Sequence, residues 1–382
     1  MLSSGQSGLP KRFGIATLVL IYQLREQLEV VSINDVALRA GVSPTTVSHA
    51  LSGRRKVGSE VYERVMNAVA ELNYTPSRSA QSLAKGQTMI LGLVVPDISN
   101  SFFAELARGV EKSAFKSGYN VLLSTTGFDH DRERHALEMI QSKAIDGLIY
   151  AAGAPPALDE LVRLSEEVPM VLVDEELPAL NLPSISSNNF RGGQLVASHL
   201  LERGHRSAVV LEGGESLLSS ERRVEGFGSL WSAKSGNRME RSEGGFTYEG
   251  GKRAILPFVD RIARGELTAV FATNDLMAIG ALEVLLEAGI SVPDQVSVVG
   301  FDDIYLSSFV KPGLTTIRQD VMAMGEVATD WLLTTLKRDG EALFNPNSYQ
   351  QVLPVSLIDR ESAAEAPVER ASTGTTRNGK NK

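Results

Sequence analysis

From Ser32 onward, apolar residues recur at helical spacing in short groups, each preceded by a capping residue. Ser32-Ile33-Asn34-Asp35 reads as a capping box, with Ser32 as the cap and Asp35 reaching back. The helix it opens runs to about Ala40 and stops at Gly41. Ser43 caps a second helix, with Pro44 at its first position, where a missing N–H costs nothing. Ser59 caps a third, with Glu60 and Glu63 in its first turn, ending near Leu72 before Asn73-Tyr74-Thr75-Pro76. A short polar helix follows from Ser77 to about Ala84, and Lys85-Gly86-Gln87-Thr88 reads as a linker.

At Met89 the texture changes to short apolar runs alternating with amphipathic helices. Ile90–Val95, Val121–Ser124, Gly147–Ala151, Met170–Val173, Ala208–Leu211, Val270–Ala272 and Val296–Gly300 read as strands. Helices are expected around Phe102–Ser117, Gly192–Arg203, Glu249–Arg264 and Asp275–Ala288, with another, rich in Glu and Arg, between the second and third strands. Strands apolar on both faces and separated by helices predict a parallel sheet in a doubly wound α/β fold. The stretch is too long for one comfortable sheet, so two similar lobes are expected. The segment 361–382, rich in Ala, Glu, Ser, Thr and Asn, reads as a disordered tail.

Composition narrows the function classes. The chain has 382 residues, 43% of them hydrophobic, which excludes wholesale disorder. It has no cysteine and five histidines, which excludes disulfide scaffolds and thiolate chemistry and leaves little for zinc. No metal or cofactor is expected. No apolar run approaches the roughly 20 residues of a membrane helix. The apolar stretch Phe13–Tyr22 follows Lys11-Arg12 like a short signal peptide, but no small-residue cleavage site comes after it. A cytoplasmic protein is therefore expected.

The net charge is −8, yet it is unevenly spread. Between Ser32 and Gly86 stand seven Lys and Arg against four acids, a local net of +3 that leaves −11 for the remainder. A basic module on a large acidic body suits a DNA-binding head on a soluble sensor.

The segment Ile33–Leu51 places two short helices around a tight turn at Gly41, the plan of a helix-turn-helix. Val36, Ala37, Val42, Val47 and Leu51 can close its core. Ser43, Pro44, Thr45, Thr46, Ser48 and His49 lie on the second helix or at its start, the part that meets base edges in such motifs. Arg54 and Lys56 read as phosphate contacts.

The chain resembles the lactose/galactose repressor family of bacterial transcription regulators. The resemblance runs from the headpiece through Val57-Gly58-Ser59-Glu60 and Leu72–Ser77 to Ser82-Leu83. It continues through Leu91–Phe103, Ile145–Ile149, Arg203-Gly204-His205-Arg206, Ala269–Asp275, Val298–Asp303 and Leu314–Ile317. It covers about Ser32 to Arg360. It implies a helix-turn-helix headpiece over 32–76, a hinge helix and linker over 77–88, and a two-lobed sensor over 89–360. The sensor would resemble periplasmic sugar-binding proteins, and its ligand would sit near the carboxyl ends of the strands. The implied function is a repressor that binds a near-palindromic operator as a homodimer, a tetramer being left open, and responds to a small sugar or related polyol.

The resemblance also marks single positions. Ser77, Ala80 and Leu83 match hinge-helix contacts, with Leu83 as a wedge into the minor groove. Ser77 stands where relatives commonly carry Asn. Without the resemblance, Ala80, Leu83 and Ala84 are simply the apolar face of a linker helix. Phe102 and Phe103 match aromatics walling the effector pocket, or else pack in the core. Arg223 matches an arginine that forks onto ligand oxygens, Asp302 an acid accepting from vicinal hydroxyls, and Asn274 a polar contact at a strand end. Asp174 follows Val171-Leu172-Val173 at another strand end. Leu217 departs from the family pattern, where several relatives carry a polar ligand contact.

Other classes fit less well. The chain has no P-loop, no G-x-S-x-G elbow and no metal-hydrolase spacing, so an enzyme is not expected. A transport component of the periplasmic type would share the body plan but has no use for Ser32–Leu83. Residues 1–31 precede the headpiece and contain no Met after Met1. They read either as a misassigned start, with initiation at Leu28, Val30 or Val31, or as an amphipathic helix over Ile15–Leu28.

Overall fold

The computed structural model describes residues 31–52, 55–74, 87–141, 145–154, 158–180, 182–214, 217–337 and 349–367. The readings made for residues 1–30, for Arg54 and for the hinge positions Ser77, Ala80 and Leu83 lie outside them. The chain divides into two compact units, Met1–Gly86 and Gln87–Lys382.

Among its described residues the first unit contains three helices: α1 (Ile33–Ala40), α2 (Pro44–Ser52) and α3 (Ser59–Glu71). The capping box at Ser32 forms as expected. The Asp35 carboxylate accepts from the Ser32 backbone N–H at 2.8 Å, while Ser32 Oγ receives the Asp35 N–H at 3.4 Å. Gly41 ends α1 at φ 68°, in the left-handed region that glycine enters without penalty. Ser43 Oγ accepts the Thr46 N–H at 3.1 Å and so caps α2. Ser59 does not cap α3: the cap position falls one residue earlier, at Gly58, with no side-chain hydrogen bond. Val36, Ala37, Val47, Val65, Ala68 and Tyr74 form the buried core, and Val42 and Leu51 pack at its margin.

The second unit is the expected pair of α/β lobes. In chain order the first lobe receives β1 (Ile90–Val95), α4 (Ser101–Lys116), β2 (Asn120–Thr125), α5 (His130–Gln141), β3 (Gly147–Tyr150), α6 (Leu158–Glu167), β4 (Met170–Val173) and β5 (Ser184–Ser187). The second receives α7 (Asn189–Glu202), β6 (Ser207–Glu212), α8 (Leu218–Trp231), β7 (Arg238–Glu243), α9 (Tyr248–Ile255), α10 (Val259–Ala263), β8 (Ala269–Ala272), α11 (Asp275–Glu287), β9 (Ser297–Val299) and β10 (Thr316–Gln319). The chain then returns to the first lobe for α12 (Val321–Lys337) and β11 (Gln350–Leu353), and ends in the second with β12 (Val355–Ile358).

The first lobe carries a six-stranded parallel sheet, ordered β11-β5-β4-β3-β1-β2. The second carries a four-stranded parallel sheet, β7-β6-β8-β9, beside an antiparallel β10-β12 pair. The chain therefore passes between the lobes three times, near residues 188, 320 and 354.

Further details differ from the sequence reading. The helix expected over Glu249–Arg264 breaks at Leu256–Phe258, a 3-10 turn containing Pro257, whose ring and missing N–H interrupt an α-helix. β5, β7, β10, β11 and β12 are not among the strands read from the sequence. β5 is hydroxyl-rich yet fully buried, and β7 is a charged, half-exposed edge strand, so neither shows the apolar run sought. The tail also starts later than residue 361. Ser362 is buried beside β9, where its Oγ donates to the Val298 carbonyl at 2.6 Å and receives the Thr315 N–H at 2.8 Å. Further on, the Ala366 N–H reaches the Arg203 carbonyl at 2.7 Å. Residues 361–366 thus belong to the folded sensor.

Two glycines bring α7 and α8 together. A Cβ on Gly193 would lie 2.0 Å from the Arg223 carbonyl oxygen, and one on Gly226 would lie 2.0 Å from that of Phe190. This close approach fixes the helix from which Arg223 projects.

Candidate functional site

In the headpiece, α2 shows its first turn to solvent. Ser43, Pro44 and Thr45 are exposed, and Thr46, Ser48 and His49 are partly exposed, while Val47 and Ala50 face the core. Lys56 and Arg55 are exposed after the helix. Arg39 is engaged elsewhere, pairing with Glu71 at 2.5 Å. Hydroxyl, imidazole and cationic groups are thus accessible on α2 and just after it, the set of groups that can pair with base edges and phosphates.

In the sensor, the strand ends of the two lobes line a half-open cavity. Phe102, Phe103, Asp174, Arg223, Asn274 and Asp302 all line it. Asn100 caps α4 by accepting the Phe102 N–H at 3.0 Å, which sets the two phenylalanines at the helix start. Their rings meet edge to face, with centroids 5.1 Å apart. Pro96, Phe128, Leu217 and Phe246 extend the apolar wall.

Among the described residues Arg223 is the cation of the cavity, and it is 3% exposed. Its Nε donates to Asn189 Oδ1 at 2.8 Å and its Nη1 to the Thr273 carbonyl at 2.6 Å. Nη1 also lies 3.5 Å from Asp302 Oδ1. The guanidinium carbon stands 4.0 Å from the Phe301 ring centroid, so one face is held by cation–π contact. Among the described residues Nη2 has no hydrogen-bond partner, which leaves one donor edge of the fork for a ligand.

Asp302 sits after β9 with φ 122°, a strained backbone position for a residue with a Cβ. Its Oδ1 accepts Gln319 Nε2 at 2.7 Å. Burial holds its carboxyl well above the usual carboxylate range, although Arg223 pulls in the opposite direction. Asp174, after β4, also has a positive φ of 68°. Its Oδ1 is buried without a hydrogen-bond partner, and burial raises its carboxyl against the opposing pull of Arg223. Asn274 reaches the cavity wall, and its amide is partly used. It caps α11 by accepting the Met277 N–H at 2.9 Å and donates to the Phe246 carbonyl at 2.9 Å.

Two acids of this region escaped the sequence reading. Glu175 lines the cavity beside Asp174 and bonds to Ser219 on α8. Burial, reinforced by Asp174, pushes its carboxyl up to about 7. Asp275 lies behind the wall and accepts from the Ile304 N–H at 2.9 Å, Ser307 Oγ at 2.6 Å and Thr316 Oγ1 at 2.5 Å. Burial lifts it to about 7 as well. The chain shows the order of acids but not their partners, which lie 44 residues away for Glu175 and 29 to 41 away for Asp275. Among the described residues no group of three or more His, Asp or Glu could hold a metal ion. None of the described helices is long and apolar enough to cross a membrane.

Comparison with known proteins agrees with both units. Residues 32–77 match the model for bacterial regulatory proteins of the lacI family. Residues 88–345 match periplasmic binding proteins and the sugar-binding domain of the LacI family. The chain is 35% identical over 333 residues to the ribose operon repressor of Haemophilus influenzae, covering 87% of this chain and 98% of that one. The lac repressor dimer bound to operator and the anti-inducer ONPF superposes with a TM-score of 0.75 at 29% identity, over 88% of this chain and all of that one. A ribose-bound regulator of the same family from Enterococcus faecium gives 0.63 at 27% identity, over 72% and 99%. A helix-turn-helix headpiece followed by a two-lobed ligand-binding body, matched along most of the chain, makes this protein a member of the lacI family of bacterial transcription regulators.

Proposed function

We propose that this protein is a repressor that binds a near-palindromic operator as a homodimer and responds to a small sugar or related polyol held between the sensor lobes. The observation that carries the ligand reading is the pairing of Arg223 and Asp302 in a phenylalanine-walled cavity at the strand ends. A guanidinium edge and a carboxylate side by side offer paired donors and acceptors to vicinal hydroxyls, while the aromatic faces cover the sugar's C–H surface. The ribose bound to the E. faecium relative supports this class of ligand. Phe102 and Phe103 are assigned to the wall, and Asp174 to a further acceptor. Asn274 is assigned to a polar contact at the rim, where one N–H of its amide remains beyond the bond to Phe246.

For the dimer, the edge strand β2 leaves Leu122 and Leu123 exposed at 45% and 40%, beside Phe115 at 75%. An apolar open sheet edge on a folded domain calls for a partner. A second copy meets that need, and its two-fold symmetry would match two operator half-sites. The operator-bound dimer of the lac repressor supports the same arrangement. A regulator bound to chromosomal operators works in the bacterial cytoplasm. The polar groups of the cavity bind and do not catalyse, and turnover of a bound sugar by the purified protein would contradict this.

Ser43, Pro44, Thr45, Thr46, Ser48 and His49 are assigned to the major groove and Lys56 to a phosphate, with Arg54, Ser77, Ala80 and Leu83 completing the DNA contacts. The test separates these roles on an operator recovered by selection from genomic fragments. His49→Ala is expected to weaken operator binding by about 1–3 kcal/mol and to relax base preference at one position. Lys56→Ala is expected to weaken binding to all sequences and lower the salt slope by about one. Unchanged affinity and unchanged base preference in His49→Ala would remove α2 from the groove.

A further inference from the structure

Glu175 does something at the cavity that sugar recognition alone does not require. It follows β4 in the first lobe, yet both its oxygens are bound by the second. Oε2 accepts the Ser219 backbone N–H at 3.1 Å, and Oε1 accepts the Ser219 hydroxyl. Ser219 lies in the first turn of α8, a helix of 14 residues. The cap position of α8 is Leu217, which offers no side-chain hydrogen bond. A carboxylate from the opposite lobe therefore serves as the missing cap. Glu175 is 4% exposed, and among the described residues no Lys or Arg pairs with it.

The free N–H groups and positive dipole end of a helix N-terminus attract anions. Here that place, on the wall of the cavity, is filled by the protein's own carboxylate. Among the described residues, the remaining charges of the wall are Asp174, whose Oδ1 is buried without a partner, and Asp302, against the guanidinium of Arg223. A ligand phosphate or carboxylate would find its natural anchor occupied, and its charge would come up against Asp174, Glu175 and Asp302, acids that burial already disfavours as anions, in a poorly screened site. A hydroxyl or an ammonium would instead satisfy the orphaned Asp174 oxygen.

Resting on the reading of this cavity as the effector site, we propose that it admits sugars without negative charge, neutral or aminated, and that Glu175 is the residue that excludes anionic ones. The carboxylate acts by position: it occupies the first turn of α8 and repels a second anion brought there.

The test uses the full-length chain, with calorimetry on D-ribose, D-glucose, D-glucosamine, D-gluconate and D-ribose 5-phosphate. In the wild type, at least one neutral or aminated sugar is expected to bind tenfold or more tighter than the acid and the phosphate. In Glu175→Ala the ratio of anionic to uncharged Kd is expected to fall at least tenfold, with folding checked by circular dichroism. If Glu175→Ala fails to fold, Glu175→Gln, which keeps the shape and loses the charge, must lower the same ratio. An anionic sugar bound by the wild type as tightly as its uncharged counterpart overturns the proposal. A ratio unchanged in the folded variant overturns the role of Glu175. Failure of every sugar to bind a wild type that still binds operator overturns the sugar reading itself, and the charge filter with it.

Discussion

Arg223→Ala is expected to destabilise the sensor by about 3–5 kcal/mol, the range for leaving a buried charge without its partner. Among the described residues, Arg223 is the one cation lining the cavity with Asp174, Glu175 and Asp302. The substitution also strips the Asn189 side chain and the Thr273 carbonyl of their buried donor. Thermal unfolding should show a drop on the order of 10 °C. The loss should depend on pH in a defined direction. Asp174 and Asp302 are acids whose folded pKa already lies above the ordinary value, because burial outweighs Arg223. Such groups favour folding at low pH, and that contribution is lost as pH rises through the folded pKa. Removing Arg223 raises those pKa values further and enlarges the loss. The gap between variant and wild type should therefore widen from pH 5 to pH 8. A gap that narrows as pH rises would mean that the acids are not held by Arg223. Lysine should not rescue the site, since it lacks the fork that reaches Asn189 and Thr273 together.

Asp302→Asn is expected to spare the fold and remove the response to effector. Asn retains an oxygen for Gln319 Nε2, and after glycine it is among the residues that best tolerate positive φ. What changes is the outer oxygen, which becomes a donor and meets the ligand hydroxyls as another donor. Loss of a charge-assisted bond costs about 1.5–3 kcal/mol, or roughly 10- to 150-fold in affinity. The variant should bind operator with wild-type affinity and be insensitive to a sugar concentration that acts on the wild type. Calorimetry with that sugar checks it. Equal Kd values would move the ligand away from Asp302, and a variant that does not fold would make Asp302 structural.

The sequence reading went furthest where a local rule decides the outcome. Ser32 with Asp35, Ser43 before Pro44, and the apolar strands at 90–95, 170–173 and 270–272 each carry their own signal, and each element forms. The site residues were legible through resemblance, since nothing local tells that Asp302 and Arg223 meet across 79 positions of chain. Elements whose signal depends on a distant partner were missed. The serines of β5 look like a loop until Tyr349–Leu353 pairs beside them. Residues 361–366 look like a tail until Ser362 is seen between Val298 and Thr315. Glu175 reads as one more acid in a polar turn, because its meaning comes from an uncapped helix in the other lobe. Asn274 carries a second task that its place in the pattern does not show: its amide also holds α11 and Phe246.

The central claim is that one chain couples a headpiece that reads DNA to a cavity that reads a sugar. An effector can shift operator affinity only through unequal affinity for two arrangements of the protein. The most direct test is fluorescence anisotropy of the full-length protein on a labelled operator fragment, titrated with the sugar that stabilises the sensor in a thermal-shift screen. A change in operator Kd of about 5- to 150-fold at saturating sugar is expected, with the same factor appearing in the sugar Kd when operator is present. A sugar that saturates the cavity and leaves operator affinity unchanged would contradict the account.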